Sequence, residues 1–167
     1  MANKSKKPNW ILICDASRGH LYREEPDHKG FTYLESFEHS ESRARTRDLM
    51  ADANGRKPNG NPGGNSGGNY TGVGGGYMGR PGAAPDTDAK AVEHMKFARE
   101  LAERLEKGLN EHEYEGLVLI APPGFLGMLK GELGTQVAKH LIDTIDKDLS
   151  WLDGPRREER LRELRAA

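Results

Sequence analysis

The chain has 167 residues and a net charge of -1, so it suits one domain and is not a globally basic binder of nucleic acid or membrane; any basic partner surface must be local. Charged residues make up 31% and hydrophobics 35%, the balance of a soluble protein with a modest core. The single cysteine, Cys14, excludes an intramolecular disulfide and fits a reducing compartment.

Residues 1–9 read as a polar, flexible tail. Lys4, Lys6 and Lys7 lie there, but no apolar signal-peptide core follows. The run Trp10-Ile11-Leu12-Ile13-Cys14 is too short for a membrane span, so the expected location is cytoplasmic. That run has the mark of a strand covered on both faces. Asp15 to Gly19 forms a turn, His20 to Arg23 returns as a second strand, and residues 31–37 make a third, giving a β-meander. Residues 42–50 carry Arg43, Arg45 and Arg47 and read as a short helix or an arm.

Residues 54–85 break this pattern. They hold more than half of the chain's 21 glycines and no acidic residue. Such a composition cannot bury enough apolar surface to offset the entropy of ordering it, so the expectation is a long disordered loop or tether. As a random coil its ends would lie roughly 30 Å apart. Beyond it, Asp86 or Thr87 is placed to cap a helix. Ala91, Met95, Ala98, Ala102, Leu105 and Leu109 then recur at helical spacing, predicting a long helix that ends near Asn110. Leu117 to Ala121 is a second apolar run and predicts a central strand. Pro122-Pro123-Gly124 turns the chain into a helix with Phe125, Leu126, Leu129 and Leu133 inward. A helical turn from Thr135 leads to a last strand at residues 141–145. Pro155 opens a helix within residues 153–167, with Glu158 and Arg162 at pair spacing. The fold class is α/β, a mixed sheet with packed helices forming one domain over residues 10–152.

Several ordered segments carry a family resemblance: Trp10 to Arg18, Asp52-Ala53-Asn54-Gly55-Arg56, Phe97-Ala98 with Leu101-Ala102 and Leu105, Leu117 to Pro123 with Leu126-Gly127 and Leu129-Lys130, and Lys147-Asp148-Leu149-Ser150. Together they resemble the bacterial family of proteins required for attachment to host cells. That family is in turn similar, more remotely and by element order, to the central domain of archaeal and eukaryotic peptide-chain release factors. The resemblance implies a ribonuclease H-like fold. It also places residues 54–85 where release factors carry the Gly-Gly-Gln loop that enters the peptidyl transferase centre. This chain has Gly63-Gly64-Asn65 and Gly67-Gly68-Asn69 instead, and its only glutamine is Gln136. A binding role is therefore expected rather than hydrolysis, with the ribosome or tRNA as partner. A partner in host attachment and a hydrolase, either of peptidyl-tRNA or metal-dependent, are the alternatives.

The residues support this in part. Glycine lets backbone approach RNA closely. Arg43, Arg45, Arg47, Arg56, Lys57 and Arg80 are candidates to neutralise phosphates, and Tyr70 and Tyr77 to stack on bases. The bland alternative is a plain disordered insert. Asp15 reads either as a turn residue or as a metal ligand joined by Asp143, Asp146 or Asp148; the turn is favoured, since those spacings match no metal motif. Arg18, Pro122, Pro123 and Gly124 are turn or pocket candidates, the last three offering a helix N-terminus to an anion. No cofactor or metal motif is read. Cys14 is a core residue rather than a nucleophile.

Overall fold

The computed structural model describes residues 7–26, 30–40 and 85–166, with side chains in the last stretch from residue 89 onward. The arm at residues 42–50 and all of the glycine-rich segment but Pro85 lie outside the described residues.

Three opening strands, β1 (Asn9–Cys14), β2 (Arg18–Glu24) and β3 (Phe31–Glu38), form the expected antiparallel meander. Helix α1 (Pro85–Asn110) crosses to β4 (Gly116–Ala121), which pairs parallel to β1. Helices α2 (Pro123–Glu132) and α3 (Thr135–Lys139) lead to β5 (Leu141–Asp146), parallel to β4. Helix α4 (Gly154–Ala166) ends the described chain. The sheet order is β3-β2-β1-β4-β5.

The two unbroken apolar runs occupy adjacent central strands, and the period of two sorts them onto two faces. Trp10, Leu12, Cys14, Leu117, Leu119 and Ala121 point into a core shared with α1, α2 and α3. Ile11, Ile13, Val118 and Ile120 point the other way, into a smaller core closed by Leu161 of α4. The edges differ from the centre. On β3 only Phe37 is buried, and β5 shows no clean alternation. Edge strands have one neighbour and need less apolar cover.

The buried face of α1 is rotated from the predicted stripe. Ala98, Ala102 and Leu105 are buried as expected, but Met95 is 36% exposed, while Phe97 and Leu101 are fully covered. The first turns of α1 precede the stretch that meets the sheet. Ala91 and Met95 therefore find no core to enter. On α2, Phe125, Leu126 and Leu129 are buried and Leu133 packs partly against the same core. The predicted Glu158–Arg162 pair forms on α4 at 3.5 Å.

Candidate functional site

β1 continues to β2 on one side, and β4 continues through helices to β5 on the other. The crevice between the carboxyl ends of β1 and β4 is thus where the strand order reverses, the usual ligand position in open α/β sheets. A cleft of about 430 Å³ opens there, lined by Asp15, Ala16 and Ser17 after β1, His94 of α1, and Pro122, Gly124, Phe125 and Met128 after β4. One wall is apolar; the other carries Asp15, Ser17 and His94. Pro122 and Pro123 have no N–H, and the α2 ladder starts with Leu126 N–H donating to Pro122 C=O at 2.8 Å. Gly124 and Phe125 N–H are left without an intrahelical acceptor, as helix geometry requires.

Asp15 is held as a turn residue. Its Oδ1 accepts from Ser17 N–H at 2.7 Å, Ser17 Oγ–H at 3.0 Å and Arg18 N–H at 2.8 Å. Its Oδ2 faces Arg18 Nε at 3.6 Å and lies 2.5 Å from Ser150 Oγ. Ser150 Oγ also lies 2.9 Å from Asp148 Oδ1. A hydroxyl has one hydrogen, so the two carboxylates compete for it, and the shorter contact assigns it to Asp15. Burial alone would raise the Asp15 pKa, but the hydrogen bonds from Ser150, Ser17 and Arg18 outweigh it and hold it below the usual carboxylate value. Asp15 thereby ties the β1–β2 turn to the segment after β5. With its lone pairs so engaged, it is poorly placed as a general base. Asp143 turns elsewhere, 3.9 Å from Arg165 on α4. Among the described residues no three His, Cys, Asp or Glu side chains converge as a metal site requires.

Two histidines flank this junction. His94 sits in the cleft with its pKa lowered by burial and by Lys90, against a raising pull from Asp15. His20 lies beside the Ser150 clamp. Its Nδ1 is 3.2 Å from Tyr33 Oη. Burial, then the Arg157 charge, push the His20 pKa down to about 4. The folded state thus holds His20 neutral while the unfolded chain protonates it near pH 6.5. The stability this contributes is complete above about pH 6.5 and is lost as pH falls toward 4. The ring is partly exposed, so screening limits the effect to about 1–2 kcal/mol. Urea midpoints at pH 7 and pH 5 should therefore fall less in His20→Gln than in the parent chain; equal slopes would remove His20 from the acid response.

The structure brings Asp15, Pro122 and Gly124 to one cleft; Arg18 stands behind Asp15, and Pro123 is exposed. Arg43, Arg45, Arg47, Arg56, Lys57, Gly63, Gly64, Asn65, Gly67, Gly68, Asn69, Tyr70, Tyr77 and Arg80 lie outside the described residues. Ser17, His94, Phe125, Met128 and Ser150 are not among the candidate site residues read from the sequence, and Asp148 is named there only as a partner for a metal at Asp15. Asp148 and Ser150 did carry a signal, since they stand in a motif of the family resemblance. His94 carried none, because only packing decides which face of α1 meets the cleft. Cys14 is buried, and burial followed by the Asp15 and Asp148 charges pushes its thiol pKa up, leaving an inert core residue.

The chain's positions of chemistry fall within a recognised family. The model of the family described as "Protein required for attachment to host cells" matches residues 10–161. A protein of Rickettsia prowazekii (strain Madrid E), named as uncharacterized protein RP470, is 37% identical over 67 residues, covering 39% of this chain and 45% of that protein. The chain thus spans less than half of that relative's length. No helix among the described residues is long and apolar enough to cross a membrane. The match runs from the first core residue of β1 into α4, across both cores, and the chain belongs to the family of proteins required for attachment to host cells.

Proposed function

We propose that this member of the host-attachment family is a cytoplasmic, non-hydrolytic factor that binds ribosomal RNA or tRNA, on a ribonuclease H-like fold. One observation carries the reading: the end of β3 and the α1 residues Glu93 and His94, on either side of the glycine-rich insert, come together beside the cleft. β3 runs antiparallel to β2 and so ends at the carboxyl edge of β1, where His39 N–H donates to Ser17 C=O at 2.9 Å. His39 Nε2 is also 2.9 Å from Glu93 Oε2 on α1, next to His94 of the cleft. Described residues on each side of the insert, His39 and Glu93, thus meet where an α/β sheet receives ligands, which favours a role for the insert there. The element order, similar to that of the release-factor central domain, supports the same reading. Arg43, Arg45 and Arg47 of the arm and Arg56, Lys57 and Arg80 of the insert would supply phosphate contacts, and the insert's glycines close approach.

Ribosome co-sedimentation of the full chain against a variant lacking residues 58–82 tests this. The full chain should pellet with ribosomes, and binding should weaken steeply with salt. Replacing Arg43, Arg45 and Arg47 together with alanine should reduce the log–log salt slope by about 2–3. Absence of association in every case would overturn the reading. Association unchanged by the deletion would keep the partner and remove the insert from the interface. The family description favours a second reading, a protein contact that supports host attachment. Recovery of the native protein outside the cell would favour it.

A further inference from the structure

The chain has two tryptophans. Trp10 is 2% exposed and Trp151 64%. Trp151 stands in the connection from β5 to α4, and its setting is stiff. Its indole N–H donates to Asp148 C=O at 3.0 Å. The residue before it, Ser150, is clamped by Asp15 and Asp148. The residue after it, Leu152, gives its carbonyl to the buried Arg157 guanidinium at 2.6 Å. A large ring held in place and left in water is the usual anchor of a protein interface.

A cleft of about 410 Å³ lies against this ring, walled by Arg156, Glu159, Arg160 and Glu163 of α4. Its charges are unevenly matched. Arg160 is paired with Glu163 at 2.7 Å, and Arg156 faces Asp153 at 3.9 Å. Glu159 has no cationic partner among the described residues. An aromatic face beside an unneutralised carboxylate suits a planar cation, which can stack on the ring and pair with the acid. A second depression of about 260 Å³, sharing Arg160 and Glu163, continues along α4 to Lys147. Lys147 likewise has no acidic partner among the described residues. Two joined depressions of opposite spare charge fit a length of polypeptide better than a single small cation.

We propose that the Trp151 cleft docks an extended segment of a partner protein, an arginine stacking on Trp151 and pairing with Glu159 while an acidic residue a few positions away meets Lys147. This surface lies on α4, and the proposal stands whether or not the glycine-rich insert binds RNA.

Tryptophan emission reads the proposal directly, because Trp151 is the exposed ring and Trp10 is buried. The probe is the peptide acetyl-Gly-Arg-Gly-Gly-Glu-Gly amide, titrated to millimolar concentration against the full chain. A saturable change in emission is expected, with affinity about three- to five-fold weaker in Glu159→Gln. Glu158→Gln, whose residue pairs with Arg162, should match the parent chain. An oligouridylate should leave the emission unchanged. The proposal is overturned if the peptide gives no saturable change, if Glu159→Gln binds as well as the parent, or if the oligouridylate saturates the signal instead. Both exchanges are at the helix surface, so folding is not in question.

Discussion

Replacing Arg165 with alanine is expected to destabilise the fold by about 3–5 kcal/mol, the usual cost of breaking a buried ion pair from one side. Glu24 is 1% exposed at the far end of β2. Arg165 grips it with two nitrogens, Nε to Oε1 at 2.8 Å and Nη2 to Oε2 at 3.2 Å, and Asn9 donates to Oε2 at 3.0 Å. The hydrogen bonds to Glu24 and its attraction raise the Arg165 pKa against the opposing effect of burial. Truncation takes a two-nitrogen counter-charge from a buried carboxylate. It also frees the last turn of α4, which covers the second face of the sheet. Urea unfolding should show a lower midpoint with little change in slope. A double exchange, Glu24→Leu with Arg165→Leu, should recover most of the loss, because a buried pair and an apolar pair of similar size are often close in stability. A loss below about 1 kcal/mol for Arg165→Ala would mean that the pair behaves as a surface contact.

The second large effect separates two helical glycines. Gly108→Ala should be destabilising by about 1–2 kcal/mol, and Gly127→Ala stabilising by up to about 1 kcal/mol. Alanine is the better helix former by about 1 kcal/mol at either position. At Gly127, on α2, an added Cβ meets nothing within 4 Å. At Gly108, on α1, it would press into Cη2 and Cζ3 of Trp10. That ring has no room to move. It stacks on Tyr114 at 4.6 Å, and the Arg104 guanidinium lies 4.8 Å from its centre. Tyr114 in turn donates its hydroxyl to Leu105 C=O at 2.7 Å. Overpacking of about 1–3 kcal/mol therefore outweighs the helical gain. Thermal midpoints of the two variants should move in opposite directions, and a shift upward in both would show that Trp10 yields.

The same contact explains how the buried face of α1 extends beyond the stripe that periodicity predicts. Ala91, Met95, Ala98, Ala102, Leu105 and Leu109 form a valid apolar stripe, but Phe97, Leu101 and Gly108 form a neighbouring one. The approach of Gly108 to Trp10 brings the second into the core beside Ala98, Ala102 and Leu105 of the first. Spacing along a helix cannot show which residue on another strand has a ring to receive.

Local chemistry determined much of this protein. The runs at residues 10–14 and 117–121 announced strands covered on both faces, since no polar residue interrupts either. The turns at Asp15 and Pro122 followed from residues that favour turn geometry. The glycine-rich composition set residues 54–85 apart, though their function stays a proposal. Tertiary structure alone decided the site. Ser150 and Asp15 are 135 positions apart, yet one hydroxyl joins them. β1 and β4 became neighbours only when α1 crossed the sheet, which opened the cleft at their carboxyl ends and brought His94 to its wall. Contacts over such distances depend on the register of whole elements, whereas turns and strand runs depend on the few residues that make them.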